Sequence, residues 1–150
     1  MINIDPHSYK ISELLPHEPP MVLIDELIEW TEGAAITMVR ICEESPFYID
    51  KIGVPAHVGL EYMAQTCGVY AGLNFLNNNQ PILMGFLLGT RNFHAEINWF
   101  KSGDNLIVSI SEILRQKAMG VFDCKITLDN HEVASAQLTV YQSEDISEKS

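Results

Sequence analysis

The sequence predicts an α+β domain in which an antiparallel sheet covers one long helix. Three observations carry that expectation. The run PAHVGLEYMAQTCGVYAG, Pro55 to Gly72, is nearly all apolar or small; two strand-like segments precede it; five strand-like segments separated by turn signals follow it. The chain has 150 residues, 47% of them hydrophobic, enough for one sizeable core. Residues 1–142 are therefore expected to form a single domain, and the tail SEDISEKS, 143–150, to be polar and flexible.

The elements follow in order. KISELL, 10–15, predicts a short helix stopped by Pro16, because proline disfavours helix at the preceding residue and cannot continue one. After the turn-rich LPHEPP come two strands, Met21 to Trp30 and Ala34 to Ile41, joined by a hairpin turn at Glu32-Gly33. The stretch from Cys42 to Val54 is broken by Pro46, Asp50 and Gly53. A helix is expected from about His57 to Asn74, closed by Asn77-Asn78-Asn79-Gln80 before Pro81. Strands are then predicted at Ile82 to Leu88, Asn92 to Phe100, Leu106 to Leu114, Gly120 to Leu128 and Val133 to Tyr141, with turns at Ser102-Gly103-Asp104 and Asp129-Asn130.

The helix has an unusual composition. Gly59, Gly68 and Gly72 each cost roughly 1 kcal/mol of helix propensity relative to alanine. With Ala64, Thr66, Cys67 and Ala71 they leave little bulk on its surface. Such a helix is one that neighbouring chain approaches closely, hence central to the fold.

Charge limits the partners. A net charge of -11 and a pI near 4.7 argue against a nucleic-acid surface or an anionic membrane. The polar start MINIDPHSYK and the lack of a bilayer-length apolar run predict a cytoplasmic protein. Cys42, Cys67 and Cys124, odd in number and widely spaced, fit free buried thiols better than disulfides or zinc ligands. Neither a metal nor a cofactor is expected; no G-x-S-x-G, phosphate-loop or HExxH motif is present. Phe47, Tyr48, Tyr62, Phe86, Phe93, Trp99 and Phe100 are assigned to the core by default.

Glu61 is the only Asp, Glu, Lys or Arg between Lys51 and Arg91. Two readings fit it. A buried carboxylate is held towards its neutral form, which suits a general acid or base; equally, a carboxylate in the first turns of a helix is favoured by the macrodipole. His57 lies four residues before it, so the two share a face if both are helical, as a His/Glu dyad or as a polar residue near the N-cap. His17 follows Leu15-Pro16 in a rigid turn.

Two motifs together resemble a known family. Leu15-Pro16-His17, Pro20-Met21 and Leu23-Ile24-Asp25, followed by Glu61-Tyr62-Met63-Ala64-Gln65 with Pro55 in step, resemble the hot-dog-fold 3-hydroxyacyl-acyl-carrier-protein dehydratases. The segment Gly85 to Val108 is similar to the pattern that follows in them, and the helix reads most like the dehydratase-like proteins of aryl polyene gene clusters. The resemblance spans almost the whole chain. It implies a sheet wrapped around the helix and a homodimer, or a heterodimer with a related hot-dog subunit, with the active site at the interface. Dehydration of a 3-hydroxyacyl chain, carried on the phosphopantetheine of acyl carrier protein, would give the trans-2-enoyl thioester. Glu61 takes the carboxylate role, backbone N–H groups near the helix start polarise the thioester carbonyl, and a histidine removes the neighbouring proton. Gln65, Phe86, Leu87 and Gly89 fall at substrate-binding positions.

At one place the chain departs from that pattern. The family's histidine before the helix corresponds by count to Phe47 in SPFYIDK, which leaves His17, matched to the family's loop histidine, and His57 as candidates. Two other functions fit the same features: a hot-dog thioesterase, and a non-catalytic acyl-binding partner subunit. Arg91, with Lys51, Lys101, Arg115 or Lys117, is the candidate patch for docking an acidic carrier protein, against a reading of scattered solvated charges.

Overall fold

The computed structural model describes residues 4–15, 21–80 and 85–142. His17, part of the strand predicted at Ile82 to Leu88 and the tail 143–150 lie outside the described residues. A 3-10 turn, Pro6–Ser8, and a short helix α1, Ile11–Leu14, come first. They are followed by β1, Glu26–Thr31, and β2, Ala34–Arg40, which form the expected hairpin around Gly33, whose φ is +98°. Next come β3, Val54–Pro55, a 3-10 turn at Ala56–Val58 and the helix α2, Gly59–Asn77. The remaining strands are β4, Gly85–Ala95; β5, Trp99–Phe100; β6, Asn105–Gln116; β7, Met119–Leu128; and β8, His131–Gln142.

Six strands form one antiparallel sheet in the order β1-β2-β6-β7-β8-β4, and β3 pairs with β5 in a separate ribbon. Strand alternation explains which face meets the helix. Leu106, Val108 and Ile110 of β6, Phe122, Cys124 and Ile126 of β7, and Ala134, Ala136 and Leu138 of β8 are buried, while their neighbours in sequence are more open. The register aligns Ile110, Cys124 and Ala136 in one row, and the small Cys124 and Ala136 leave a shallow floor for α2. Tyr62, Met63, Cys67 and Tyr70 of α2 join that core, while Val69 and Leu73 pack with Leu14, Leu15 and Leu27 on the opposite side. The helix is thus covered on two sides, the hot-dog arrangement.

The helix glycines mark the closest approaches. A Cβ on Gly72 would stand 2.6 Å from the carbonyl oxygen of Leu14, and one on Gly59 would stand 2.9 Å from Cδ1 of Ile126. The first neighbour is backbone and the second a side chain, so α1 and the sheet press on α2 from different directions.

Several boundaries differ from those predicted. Met21 to Leu23 does not join β1, because its backbone is claimed elsewhere: Leu23 N–H donates to Gln65 Oε1 at 2.8 Å, and Met21 C=O accepts from Gln65 Nε2 at 2.6 Å. The two strands predicted across Ile82 to Phe100 are, from Gly85 to Ala95, one strand. Register shifts between Leu87 and Gly89 and between Arg91 and His94, with Asn92 at φ +57°, absorb the irregularity that reads as a break. Helix α2 runs three residues past Asn74 and stops where Asn79 takes φ +57°, a left-handed terminator, with Gln80 N–H bonded to Phe75 C=O at 2.7 Å.

Two burial expectations are corrected. Cys42 is exposed, whereas Cys67 and Cys124 are buried. Phe47, assigned to the core, is 56% exposed with φ +70°, because Pro46 and the turn at Ser45 carry the chain outward on the broken stretch between β2 and β3.

Candidate active site

Glu61 sits in the first turn of α2, half-buried, next to the buried Tyr62. Helix geometry places residue 65 over residue 61. The contact follows: Gln65 Nε2 donates to Glu61 Oε2 at 3.1 Å. The helix start favours a carboxylate electrostatically.

The two motifs that carry the family resemblance touch each other here. Gln65, 1% exposed, bonds Met21 and Leu23 from the opening motif with the same amide that bonds Glu61. Asp25 closes that motif by accepting Arg40 N–H at 2.6 Å, while Asp25 N–H donates to Met38 C=O at 3.0 Å. The acidic residue of the motif therefore fastens the segment to the end of β2. Beside it lies a cleft of about 180 Å³ between Leu23, Asp25, Cys42, Pro46 and Tyr62.

The other expected site residues are placed as follows. His57 lies in the 3-10 turn that leads into α2 and is exposed. Of the backbone donors at this helix start, Ala56 N–H is engaged by Asn98 C=O at 2.9 Å and Gly59 N–H by Ala56 C=O. Gln65 has its amide engaged by protein groups at every bond named above. Phe86 stands opposite Tyr141 in the register of β4 and β8, Leu87 is 46% exposed, and Gly89 is exposed with nothing within 4 Å of a Cβ built on it. Arg91 is exposed on β4 opposite Gln137.

The candidate docking cations stand on several elements, with Arg115 and Lys117 lining one pocket. Arg115 is bonded to Glu112 at 2.6 Å, Lys117 occupies the β6–β7 turn, Lys101 the turn before Asp104, and Lys51 the stretch before β3. Among the described residues, no three His, Cys, Asp or Glu side chains cluster as a metal site. No helix among them is long and apolar enough to cross a membrane.

The role of Gln65 as the join between motifs was not anticipated. The signal available was its i+4 spacing from Glu61.

Residues 9–149 match the family described as ApeP-like, ApeP dehydratase. The chain belongs to the ApeP-like dehydratase family. Among relatives, the 3-hydroxyacyl-acyl-carrier-protein dehydratase FabZ of Shewanella amazonensis is 26% identical over 134 residues, covering 86% of the ApeP-like chain and 87% of its own length. FabZ of Streptococcus pneumoniae serotype 4 is 28% identical over 139 residues, covering 86% and 92%. A chain of the dehydratase heterocomplex ApeI:P from Xenorhabdus doucetiae superposes with a TM-score of 0.87 at 26% identity, covering 91% of this chain and 92% of that one. The PaaI protein of E. coli, at 14% identity and a TM-score of 0.62 over 77% and 81%, shares the fold alone. The hot-dog dehydratase expected from the motifs is thus the family found, and this ApeP-like protein is a dehydratase.

Proposed function

We propose that this ApeP-like protein dehydrates a 3-hydroxyacyl chain held as a phosphopantetheine thioester on acyl carrier protein, in fatty-acid or aryl polyene type biosynthesis. The observation that carries the reading is Glu61, an acid in the first turn of an apolar helix, oriented by a buried amide. In the reaction a base removes a proton from the carbon next to the thioester carbonyl. Glu61 gives a proton to the hydroxyl on the following carbon; that C–O bond breaks, water leaves, and the double bond forms between the two carbons.

The base comes from a histidine. Phe47 occupies the family's histidine position and is exposed, which supports an assembly in which a related hot-dog subunit supplies that side chain to Glu61 across the interface. The likeness to a chain of the ApeI:P heterocomplex supports the same assembly. His17 is the alternative donor within this chain, and His57 the weaker one. Leu87 and Gly89, exposed on β4, are the proposed acyl-contacting positions, and Arg91 is the proposed docking cation for the carrier protein. The site is proposed for the cytoplasm.

The test follows enoyl formation from 3-hydroxyacyl carrier protein by the protein alone and mixed with the histidine-bearing subunit. Turnover in the mixture that drops about 100-fold or more in Glu61→Gln is the expected result. Full turnover in that variant overturns the assignment, and release of free thiol without enoyl product marks a thioesterase instead.

A further inference from the structure

We propose that the cleft between residues 22–25 and the end of β2 is a covalent capture site for α,β-unsaturated thioesters, in which the Cys42 thiol adds to the carbon–carbon double bond while the Tyr62 hydroxyl holds the thioester carbonyl. The choice of electrophile rests on the dehydration reading, whose product is such a compound; the site itself is built from groups that the chemistry at Glu61 does not use.

A hydroxyl without a partner defines the site. Tyr62 is 2% exposed, with its ring beside Phe100 at a centroid distance of 6.0 Å. Its carbonyl takes the Thr66 hydroxyl, yet among the described residues its own hydroxyl makes no hydrogen bond. Among those residues, Trp30 Nε1 is the sole side-chain nitrogen or oxygen both sealed and unpaired, so the Tyr62 oxygen is not sealed. Its opening is the cleft of about 180 Å³, which Tyr62 lines with Leu23, Asp25, Cys42, Ser45 and Pro46. A nearly buried phenol is thus aimed into a cavity with a hydrogen bond still to give. Burial, and next the Asp25 carboxylate, raise its pKa and keep it a neutral donor.

The thiol lines the same cleft. Cys42 N–H donates to Ser45 Oγ at 2.9 Å, and Ser45 N–H donates to Cys42 C=O at 3.0 Å, which fixes the two residues side by side. The Ser45 hydroxyl lies 3.7 Å from Cys42 Sγ and 3.5 Å from Arg40 C=O. Its hydrogen has two acceptors, and a thiolate draws it to sulfur.

The lining selects the electrophile. Sulfur is soft and polarisable, suited to an activated carbon–carbon double bond. Val22, Leu23, Val39 and Pro46 give apolar walls for a short carbon chain, and the volume lies below the roughly 300–1,000 Å³ of sites for larger ligands. Asp25 and Glu44 disfavour anions, and the Arg40 guanidinium, 2.8 Å from Glu26, is already matched by a carboxylate. A neutral carbonyl compound fits; a free carboxylate does not. In the addition the Cys42 S–H bond breaks and Sγ bonds to the far carbon of the double bond. The double-bond electrons move towards the carbonyl oxygen, where the Tyr62 hydroxyl meets the growing charge, and the thiol proton ends on the carbon next to the carbonyl. No oxidation or reduction occurs, and the thioester stays intact.

Incubation with the trans-2-butenoyl thioester of pantetheine, followed by intact and peptide mass measurement, tests this. A single adduct carrying the whole thioester is expected on Cys42 and none in Cys42→Ser. Tyr62→Phe is expected to slow adduct formation about 10- to 100-fold, on the scale of losing one oxyanion donor. The rate of a disulfide reagent at Cys42 is expected to hold within about twofold in that variant, since thiol exchange has no carbonyl to bind. Equal adduct rates in wild type and Tyr62→Phe, or equal slowing of both reagents, overturn the proposal.

A comparison without substitution covers the case in which Tyr62→Phe fails to fold. Relative to the disulfide reagent, the enoyl thioester is expected to favour Cys42 over free N-acetylcysteine by about 10-fold or more at the same pH. Equal preference overturns the site, as does an adduct of the acyl group alone, which marks thioester exchange. Because the enoyl thioester is supplied ready-made, the adduct reports on this cleft, whereas turnover of 3-hydroxyacyl substrate reports separately on Glu61.

Discussion

The hydroxyls of Thr37 on β2 and Thr66 on α2 lie 2.7 Å apart, and both residues are 0% exposed. Thr66 gives its hydrogen to Tyr62 C=O at 2.8 Å, so Thr37 donates to Thr66 and the pair stitches helix to sheet. Thr66→Val keeps the shape and strands the Thr37 hydroxyl. It is expected to lower unfolding free energy by about 1–3 kcal/mol in urea titrations, more than Thr37→Val, which leaves the Thr66 donor bonded.

Gly72→Ala sets two effects against each other. Alanine is better in a helix by about 1 kcal/mol, but its Cβ would meet Leu14 backbone at 2.6 Å, where no side-chain rotation gives relief. Steric cost wins. A net loss of about 1–3 kcal/mol in thermal or urea unfolding is expected, on the scale of core overpacking.

Two tyrosines predict the alkaline limit of stability. Burial raises the hydroxyl of Tyr62 above the ordinary tyrosine range, with the nearby Asp25 carboxylate adding to it. Burial also raises Tyr70, with Glu112 among the further causes. A raised folded value means the neutral phenol is preferred in the fold, so stability is complete below the unfolded value of about 10 and declines as pH rises beyond it. Tyr62→Phe is expected to flatten that decline while changing stability little at pH 7. Tyr70→Phe flattens it too but costs about 1–3 kcal/mol at pH 7, because it breaks the bonds from Gly33 N–H and to Glu112, both 3.1 Å. Urea midpoints from pH 7 to 11 check both.

The thiols should separate by reactivity. Burial pushes the Cys67 thiol well up, and its bond with the Cys124 thiol pushes in the same direction, while Cys124 is itself buried away from reagent. Cys42 is exposed. A disulfide reagent at pH 8 is expected to modify Cys42 rapidly in the folded protein, with Cys67 and Cys124 reacting only on unfolding, as peptide mass mapping would show.

Arg91 is expected to matter through the carrier alone. Arg91→Glu should raise KM for carrier-linked 3-hydroxyacyl substrate several-fold at low salt and leave KM for the same acyl group on free pantetheine unchanged. Equal KM values for wild type and variant on carrier-linked substrate would remove Arg91 from docking.

What sequence revealed and what it concealed divide along physical lines. Alternation marked β6, β7 and β8 within a few residues, because one face of each is packed and the other is open. The glycines of α2 announced close approach, and the structure supplies the neighbours at Gly72 and Gly59. Met21 to Leu23 misled because its apolar pattern is that of a strand while its hydrogen bonds are taken by a side chain 42 and 44 residues away in sequence. No local pattern carries that information. The continuity of β4 was hidden for a related reason: its apolar pattern lapses between Leu88 and Asn92, where the register slips without the strand ending. Glu61 was conspicuous as a lone charge, whereas Gln65, neutral and unremarkable in composition, emerges only from the three groups it binds.

The bulges of β4 have a consequence for how the chain chooses company. Among the described residues β4 pairs with β8 alone, leaving its other rim to present open N–H and C=O groups beside the exposed Leu87 and Leu88. A straight rim of that kind would accept nearly any extended peptide and grow into aggregates. Two interruptions, between Leu87 and Gly89 and between Arg91 and His94, break the rim into short stretches out of step with one another. A strand could pair along all of them only if its own irregularities fell at matching positions, which shortens the straight edge open to stray pairing.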